Sequence, residues 1–520
     1  MRARARPRPR GRGLLCDLAA HQGTPGFSNS YAQGDESVEG DGGTQCSEPA
    51  PEHEEVPHEA GSVPAETGAD RRVDLTEGHL LRRIALLAWP IVAASFLQWV
   101  MGVADIKMVG KLGPTAIAAV GQSRQAIFTF MTIVFAVATG TQVLSARYMG
   151  ERDAERAADV TRQAVILSLI FGLIIAPLGY WFSAPLLTAM GAKGVVHTAG
   201  TQYMRVYFFG TISLMLNFMI VSSLRGAGDT LTPLWVLLGI NSGNILFDWL
   251  LIFGVGPFPE LGVQGAAWAV VISRTVGAVI LLWIVCCGRF AIHMPLIDHW
   301  RIDLSLWGKM FYIGVPSSIQ GLTRNLAFLL LFWILNQTDA GRMAVAGYTV
   351  SVQIRMFGVM FGLALMSAAM TAVGQNMGAE DSQRAERSGW TVTWISVAAT
   401  GLMAAIFIGA SRVLIGFFTD DAETIRWGVI ALITLSAALP FTGASMGCSG
   451  ALRGAGDTLS PLYASLIFTS GVGPAIAYTL TVVLDLGPFG AWLGLSAAWV
   501  MQSLMVAWIF KRGKWKQIRL

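Results

Sequence analysis

The sequence predicts an all-α membrane protein with twelve transmembrane helices, arranged as two parallel six-helix repeats that are related by a pseudo-twofold axis along the membrane normal. The first observation behind this prediction is composition: 53% of the residues are hydrophobic and only 13% are charged, which suits lipid as the solvent for most of the chain. The second is an eleven-residue segment that occurs twice, as LRGAGDTLTPL at 224–234 and as LRGAGDTLSPL at 452–462. Ten of the eleven positions agree at an offset of 228 residues, which indicates an internal duplication.

The repeated segment is predicted to form a tight polar loop between two membrane helices, because each copy separates two apolar runs. Gly226 and Gly228 permit positive φ angles, and Asp229 or Thr230 can cap the helix that follows. We expect the Arg225 and Asp229 side chains to stay at the water interface. The segment therefore marks a helix boundary rather than a catalytic loop.

The same offset extends beyond this loop, so the repeated unit is half of the protein. Asp153 and Arg156, for example, recur as Asp381 and Arg384. Six predicted spans separate the two loops, and because six is an even number both loops lie on one side of the membrane. The halves are therefore predicted to be parallel repeats rather than inverted ones.

Taking the chain in order, residues 1–72 are predicted to be a disordered N-terminal tail. Six arginines precede residue 13, residues 13–70 contain no Lys or Arg, and residues 35–70 carry eleven acids. Such a segment cannot bury enough apolar surface to order itself. We assign it no function.

The next element is the membrane body, in which twelve apolar runs of about twenty residues or more are each long enough to cross a bilayer. Spans 1–6 form a predicted N-lobe within residues 73–290, and spans 7–12 form a predicted C-lobe within residues 291–520. The predicted spans are 84–107, 117–144, 160–182, 199–222, 233–254, 265–287, 308–335, 343–372, 390–411, 424–447, 461–483 and 490–510.

The orientation of the body follows from basic residues in short loops, which concentrate on the cytoplasmic side. The segments that share a side with the two termini hold most of them, from Arg82 and Arg83 before span 1 to Lys511 and Arg512 after span 12. We therefore expect both termini to be cytoplasmic, in a multi-pass protein of the plasma (cell inner) membrane.

Composition and motifs also argue against an enzyme, a metal site or a bound cofactor. The five cysteines show no ligand spacing, and the seven histidines fall in the tail or in loops. No segment resembles a nucleotide-binding loop, so ATP is not expected to drive the protein. The modest net charge of +4 does not indicate a nucleic-acid partner.

Two carboxylates fall inside predicted spans, where a charge costs at least about 2.5 to 3.5 kcal/mol and so indicates function. Asp105 lies late in span 1, and Asp248 lies about 22 Å above the start of span 5. Two carboxylates at similar depth could share one proton or hold one cation. The alternatives are that Asp105 belongs to the outer loop and that Asp248 makes only a structural hydrogen bond.

Polar residues accompany both carboxylates at helical spacing. Asn241, Asn244 and Asp248 follow i, i+3, i+7 spacing and line one face of span 5. Gln98 precedes Asp105 by seven residues on span 1. These residues are predicted to line a cavity in the N-lobe.

The C-lobe carries basic side chains instead, since Arg324 and Arg355 lie near the middle of spans 7 and 8. Neither can easily reach the interface from there, so both are predicted to face carbonyl groups or a central cleft. One hypothesis is that an acidic lobe and a basic lobe pair across the cleft in a closed state.

The chain from about residue 78 to 514 resembles the multidrug and toxin extrusion (MATE) transporters, and most closely the bacterial and archaeal branch named for a DNA-damage-inducible protein F. The segments that carry the resemblance are the paired LRGAGDT loops, VADIKMVGKLGPTAIAAVG at 103–121, NILFDWLLIFGVG at 244–256 and GVQGAAWA at 262–269.

The resemblance implies that the N-lobe holds the cation or proton site at Asp105, Asn244 and Asp248. It further implies that the N-lobe cavity is lined by Gln98, Tyr203 and Asn217, and that Pro90 is a hinge in span 1. Two departures stand out. Val270 replaces a hydroxyl residue of this branch, with Ser273 the nearest alternative, and Arg324 stands where another branch places a glutamate.

The function that the resemblance implies is secondary antiport: export of amphipathic, cationic drugs or metabolites in exchange for inward protons or sodium ions, by alternating access. A flippase for lipid-linked saccharides, from the same superfamily, is the alternative, because such proteins carry arginines in their cleft. We expect a monomer whose partners are a small amphipathic substrate and membrane lipid.

Overall fold

The structure is a computed structural model that describes residues 73–288, 291–294, 300–338 and 341–518, apart from the side chains at 129, 133, 341 and 342. Within these ranges the chain is helical and contains no strand. The predicted tail, residues 1–72, lies outside the described residues.

The twelve predicted spans are confirmed, and we keep their numbering. Nine described helices are long and apolar enough to cross a membrane, and three more spans are pairs of helices joined at a bend of more than 40°. The N-lobe spans are Leu80–Gly110, Pro114–Gly150 (bent between Thr132 and Val134), Ala154–Ala189, Gly194–Phe209 with Thr211–Gly226, Leu231–Phe253 and Val263–Cys286. The C-lobe spans are Leu304–Leu335, Gly341–Gly378, Ser382–Gly409, Ala422–Ala437 with Leu439–Gly454, Leu459–Val483 and Gly487–Arg512.

Smaller elements complete the C-lobe. A short helix, Ser411–Gly416, follows span 9, and a 3₁₀ turn, Lys514–Gln517, follows span 12. Span 11 contains two π-helical segments, Ser465–Val472 and Thr479–Val483.

Helix caps repeat between the lobes at the same offset as the sequence. The Asp153 carboxylate accepts a hydrogen bond from the backbone N–H of Arg156 at 2.9 Å, at the start of span 3. Asp381 accepts from the N–H of Arg384 at 2.8 Å, at the start of span 9. Each acid satisfies one of the N–H groups that the first turn of a helix leaves unpaired. The duplication is therefore visible in the geometry of the loops.

The two LRGAGDT loops also have the same conformation. Gly228 has φ +88° and Gly456 has φ +97°, a region that favours glycine. Asp229 and Asp457 each accept a hydrogen bond at 3.0 Å from the backbone N–H three residues later. The expected exposure is wrong, however, because Asp229 is fully buried and Arg225 is half-buried. Packing of the lobes covers this loop.

The lobes contact each other through a reciprocal pair of glycines at one end of spans 2 and 8. A methyl group added at Gly150 would lie 1.9 Å from the backbone oxygen of Gln375, and one added at Gly378 would lie 2.0 Å from that of Arg147. The offset of 228 residues relates both pairs of positions. The contact thus obeys the pseudo-twofold axis that the sequence predicts, and only glycine allows it.

Hydrogen bonds also join the two lobes near the same end. Gln142 Nε2 of span 2 donates to Ser367 Oγ at 2.7 Å and to Thr371 Oγ1 at 3.1 Å, both on span 8. Nearer the middle of the body, Ser318 Oγ of span 7 donates to the carbonyl of Thr132 at 2.6 Å. These described contacts lie from mid-span toward the side that carries the termini, and they join the lobes there.

Candidate functional site

Asp105 is buried inside the N-lobe. Its helix continues to Gly110, and only 1% of its side chain is exposed, so it does not belong to the outer loop. The carboxylate forms an ion pair with the guanidinium of Arg124, which projects from span 2. The alternative in which water solvates Asp105 beside Lys107 is therefore wrong.

Arg124 connects the two carboxylates that the sequence singles out. Besides pairing with Asp105, it is close enough to Tyr203 and to Asp248 to interact with both electrostatically. The Tyr203 ring stacks on Tyr207, with ring centroids 6.3 Å apart. Sequence reasoning missed Arg124 because it searched the N-lobe spans for acids. The rule that a charge inside a span indicates function applies equally to an arginine.

Asp248 occupies the centre of this cluster and is fully buried. With the Asn244 amide oriented so that its nitrogen faces the carboxylate, Asn244 donates to Asp248 Oδ2 at 3.3 Å and accepts from the N–H of Val270 at 3.1 Å. Asp248 Oδ1 has no hydrogen-bond partner. The spacing of four residues on one helix thus gives the carboxylate one amide donor and leaves one oxygen open.

Further polar groups of the N-lobe lie buried without partners. The amide nitrogen and oxygen of Asn241 and the hydroxyl of Ser273 have none. Asn217 donates to the carbonyls of Ser213 and Arg274, both at 2.7 Å, while its own oxygen is unpaired. Unpaired buried polar atoms are rare in folded proteins and need an explanation, such as a missing ligand, ion or water.

Two predicted site residues stand apart from this cluster. The side chain of Gln98 is exposed, unlike those of Asp105 and Asp248, and its place in a cavity stays a prediction. Pro90 is buried within span 1, which runs through it as one unbroken helix. Its role as a hinge stays a prediction.

The arrangement determines what chemistry the cluster can do. Asp105 pairs with Arg124 through Oδ2 while its Oδ1 has no hydrogen-bond partner, and Asp248, whose Oδ1 is also without a partner, forms no ion pair among the described residues. Burying an uncompensated carboxylate is costly unless it takes up a proton or a cation. Among the described residues no group of three or more His, Cys, Asp and Glu could hold a metal ion. Proton or cation binding at Asp248 stays a prediction.

The C-lobe arginines occupy different environments from each other. Arg355 is buried and its guanidinium lies over the ring of Trp499, 4.0 Å from the centroid, whereas Arg324 is exposed. The picture of one acidic and one basic lobe is wrong for the N-lobe, since Arg124 and the buried Arg274 accompany its two acids.

Comparison with known proteins gives consistent matches across the membrane body. The MatE family model matches residues 90–250 and 316–479. "Probable multidrug resistance protein NorM" of Thermotoga maritima is 26% identical over 444 residues, which cover 84% of this chain and 94% of the relative. "Uncharacterized transporter YisQ" of Bacillus subtilis is 28% identical over 425 residues, covering 81% and 92% respectively.

Solved structures share the fold. A multidrug resistance MATE family transporter of the MOP superfamily, in an outward-facing conformation, is 25% identical with a TM-score of 0.79, covering 85% of this chain and 98% of that one. A MOP superfamily transporter from Pyrococcus furiosus is 24% identical with a TM-score of 0.80, covering 86% and 99% respectively.

Proposed function

Because this chain belongs to the MatE family, whose members are membrane transporters and not enzymes, we propose that it exports amphipathic small molecules in exchange for inward protons or sodium ions. Relatives named as multidrug resistance proteins support the export of drugs. A cleft between the N-lobe and the C-lobe would open alternately to each side of the membrane. Both termini would face the cytoplasm.

The observation that carries this proposal is the open oxygen of Asp248. A buried carboxylate is stable as an anion only while a cation or a hydrogen-bond donor faces it. Protonation of Asp248 would therefore favour a different arrangement of the neighbouring side chains. Taking up a cation from outside would favour one arrangement of the N-lobe, and releasing it inside would favour another. A ligand shifts such an equilibrium only by its different affinity for the two states.

The surroundings of Asp248 favour a proton over sodium as the coupling ion. Arg124 already balances Asp105, so the two carboxylates do not present a joint double negative charge. Its guanidinium is also close enough to Asp248 to repel a second cation. Val270 supplies no hydroxyl ligand at the position where the related branch has one. A proton needs only the single open oxygen.

Drug resistance in an efflux-deficient bacterial host tests the proposal. Expression of the protein is expected to lower the accumulation of amphipathic compounds, and Asp248→Asn, which removes the titratable group but keeps the shape, is expected to abolish this effect. Val270→Ser is the control, since it adds a hydroxyl beside the site and is expected to keep resistance. Unchanged accumulation with both the protein and its variant at matched expression would count against export.

A flippase for lipid-linked saccharides or another lipid is the second candidate, and the buried basic side chains of the C-lobe favour it. Deletion of the gene separates the two functions. A cell-envelope defect with unchanged drug sensitivity would support the flippase, and drug hypersensitivity with a normal envelope would support the antiporter.

A further inference from the structure

Three arginines of the C-lobe lie near one another. Arg355 on span 8 is 6% exposed, and its Nη1 has no hydrogen-bond partner although its guanidinium stacks on Trp499. Arg324 on span 7 is close enough to Arg355 for their charges to repel. A cation over an aromatic ring is partly stabilised, but the ring does not satisfy the in-plane N–H groups.

Arg453 is the third member and lies on the other side of Arg324. It is 8% exposed, donates through Nη2 to Gln320 Oε1 and approaches Met366 Sδ at 3.7 Å, while its Nε has no partner. Gln320 lies one turn from Arg324 on span 7, and the charges of Arg324 and Arg453 interact. Arg324 is thus within electrostatic range of both buried arginines, and we call these three residues the C-lobe arginine cluster.

Among the described residues, no acidic side chain forms an ion pair with a member of this cluster. The sequence has no Asp or Glu in 304–338, 341–378, 387–419, 424–456, 458–484 or 486–520. Glu386 pairs with Lys516 at 2.5 Å, and Asp457 accepts from the N–H and the hydroxyl of Ser460. Arg355 and Arg453 are buried without an acidic partner, whereas Arg324 is exposed. Buried cations without a counterion are costly, so the two buried members need an anion from outside the chain.

The surroundings of the cluster are apolar or carry further donors. Trp499 and Met366 contact it directly, and the buried hydroxyl of Tyr348, close enough to Arg355 to interact electrostatically, has no partner. Beside Arg324, Ser470 in the first π-helical segment of span 11 donates to the carbonyl of Thr323 at 3.1 Å. Departures from α-helix of this kind are frequent at functional sites.

We propose that the C-lobe arginine cluster binds the anionic head group of an amphipathic molecule, such as a sulfonate, a phosphate or a carboxylate on an apolar body. This rests on the proposed function, because it places part of the exported substrate in the C-lobe, and it replaces the cationic substrates that the sequence analysis expected. Planar guanidinium groups hold such oxyanions with paired hydrogen bonds, and the aromatic and thioether side chains contact the apolar body.

The test is calorimetric binding to the full chain in phosphatidylcholine nanodiscs, with no ion gradient. The probes are 2-naphthalenesulfonate and a naphthyl trimethylammonium of the same size. We expect the sulfonate to bind and the ammonium to bind at least tenfold more weakly. Arg355→Gln and Arg324→Gln are expected to weaken sulfonate binding tenfold or more, since each removes a charged hydrogen bond. Arg355→Lys, which keeps the charge, should recover part of the affinity.

Arg412→Gln, at an exposed arginine of the outer side, is the matched control and should leave sulfonate affinity unchanged. Equal affinity for the two probes, or unchanged sulfonate affinity in both Gln variants, would overturn the proposal. If added phosphatidylglycerol competes with sulfonate binding to the wild type, the site binds a lipid head group. If it does not compete, the site binds a soluble anion. Asp248→Asn should still bind the sulfonate more tightly than the ammonium, even though it is expected to abolish antiport, so a failure of antiport and a failure of this site give different results.

Discussion

At the scale of single residues, the N-lobe depends on an ion pair that is largely removed from water. Asp105 is almost fully buried, while about a third of the Arg124 side chain is exposed, at 34%. The attraction between them repays the cost of burying the acid only while both are present. Removal of either partner leaves the other charge without compensation.

We therefore expect Asp105→Asn and Arg124→Gln each to lower the free energy of unfolding by about 3 kcal/mol. The double variant should lose less stability than the less stable of the two single variants. Thermal unfolding in detergent, followed by the loss of monodisperse protein, measures the effect. Losses that simply add in the double variant would contradict a direct pairing of Asp105 with Arg124.

The sequence predicted the acids of this site better than their partners. Asp248 and Asn244 could be placed together because four residues make one helical turn. The pairing of Asp105 with Arg124 could not be predicted, because spacing within one helix does not indicate which residue of span 2 faces Asp105 of span 1. Gln98 shows the same limit: seven residues from Asp105 put it on one helical face, but the packing of neighbouring spans decides which parts of that face are buried.

At the scale of elements, span 1 is continuous through Pro90, although proline removes a backbone donor and leaves the carbonyl of Leu86 without its usual helical partner. Such a helix is easier to bend than one with a complete set of hydrogen bonds. Pro316, at the related position of span 7, is likewise buried within an unbroken helix. The two prolines allow a matched comparison between the lobes.

Pro90→Ala is expected to restore one backbone hydrogen bond, raise the stability of the protein by roughly 1 kcal/mol and lower its transport rate, because a stiffer span 1 resists bending. Pro316→Ala should stabilise similarly and leave transport near the wild-type rate if coupling runs through the N-lobe alone. Thermal unfolding and drug efflux measured on the same preparations check both. Full transport by Pro90→Ala would show that bending at Pro90 is not needed.

The bends within individual spans could not be predicted from the sequence. Hydropathy predicted single spans at 199–222 and 424–447, but the structure bends the first by 54° after Phe209 and the second by 42° after Ala437. At the first bend a methyl group on Gly210 would lie 2.6 Å from Val271 of span 6, so packing between spans fixes the break. An apolar run indicates that a segment lies in the membrane, but it does not indicate where packing against a neighbouring span bends the helix.

At the scale of the whole molecule, the two halves contact each other symmetrically but differ in the charged residues that they bury. Gly150 and Gly378 meet the opposite lobe in equivalent ways, so the ends of the lobes near the termini pack as a pseudo-twofold pair. The interiors differ, since the N-lobe holds the buried acids Asp105 and Asp248, whereas the buried charged side chains of the described C-lobe spans are Arg355 and Arg453. We infer that the coupling ion and the substrate head group bind in different lobes.

The most direct test of this account is counterflow in proteoliposomes, in which an exported compound is applied and proton and sodium movements are recorded with sodium varied at fixed pH. We predict a compound-dependent proton flux that does not change with sodium, that is lost in Asp248→Asn, and that persists in Val270→Ser. A full flux in Asp248→Asn, at equal protein content and with intact folding, would contradict coupling through the first lobe.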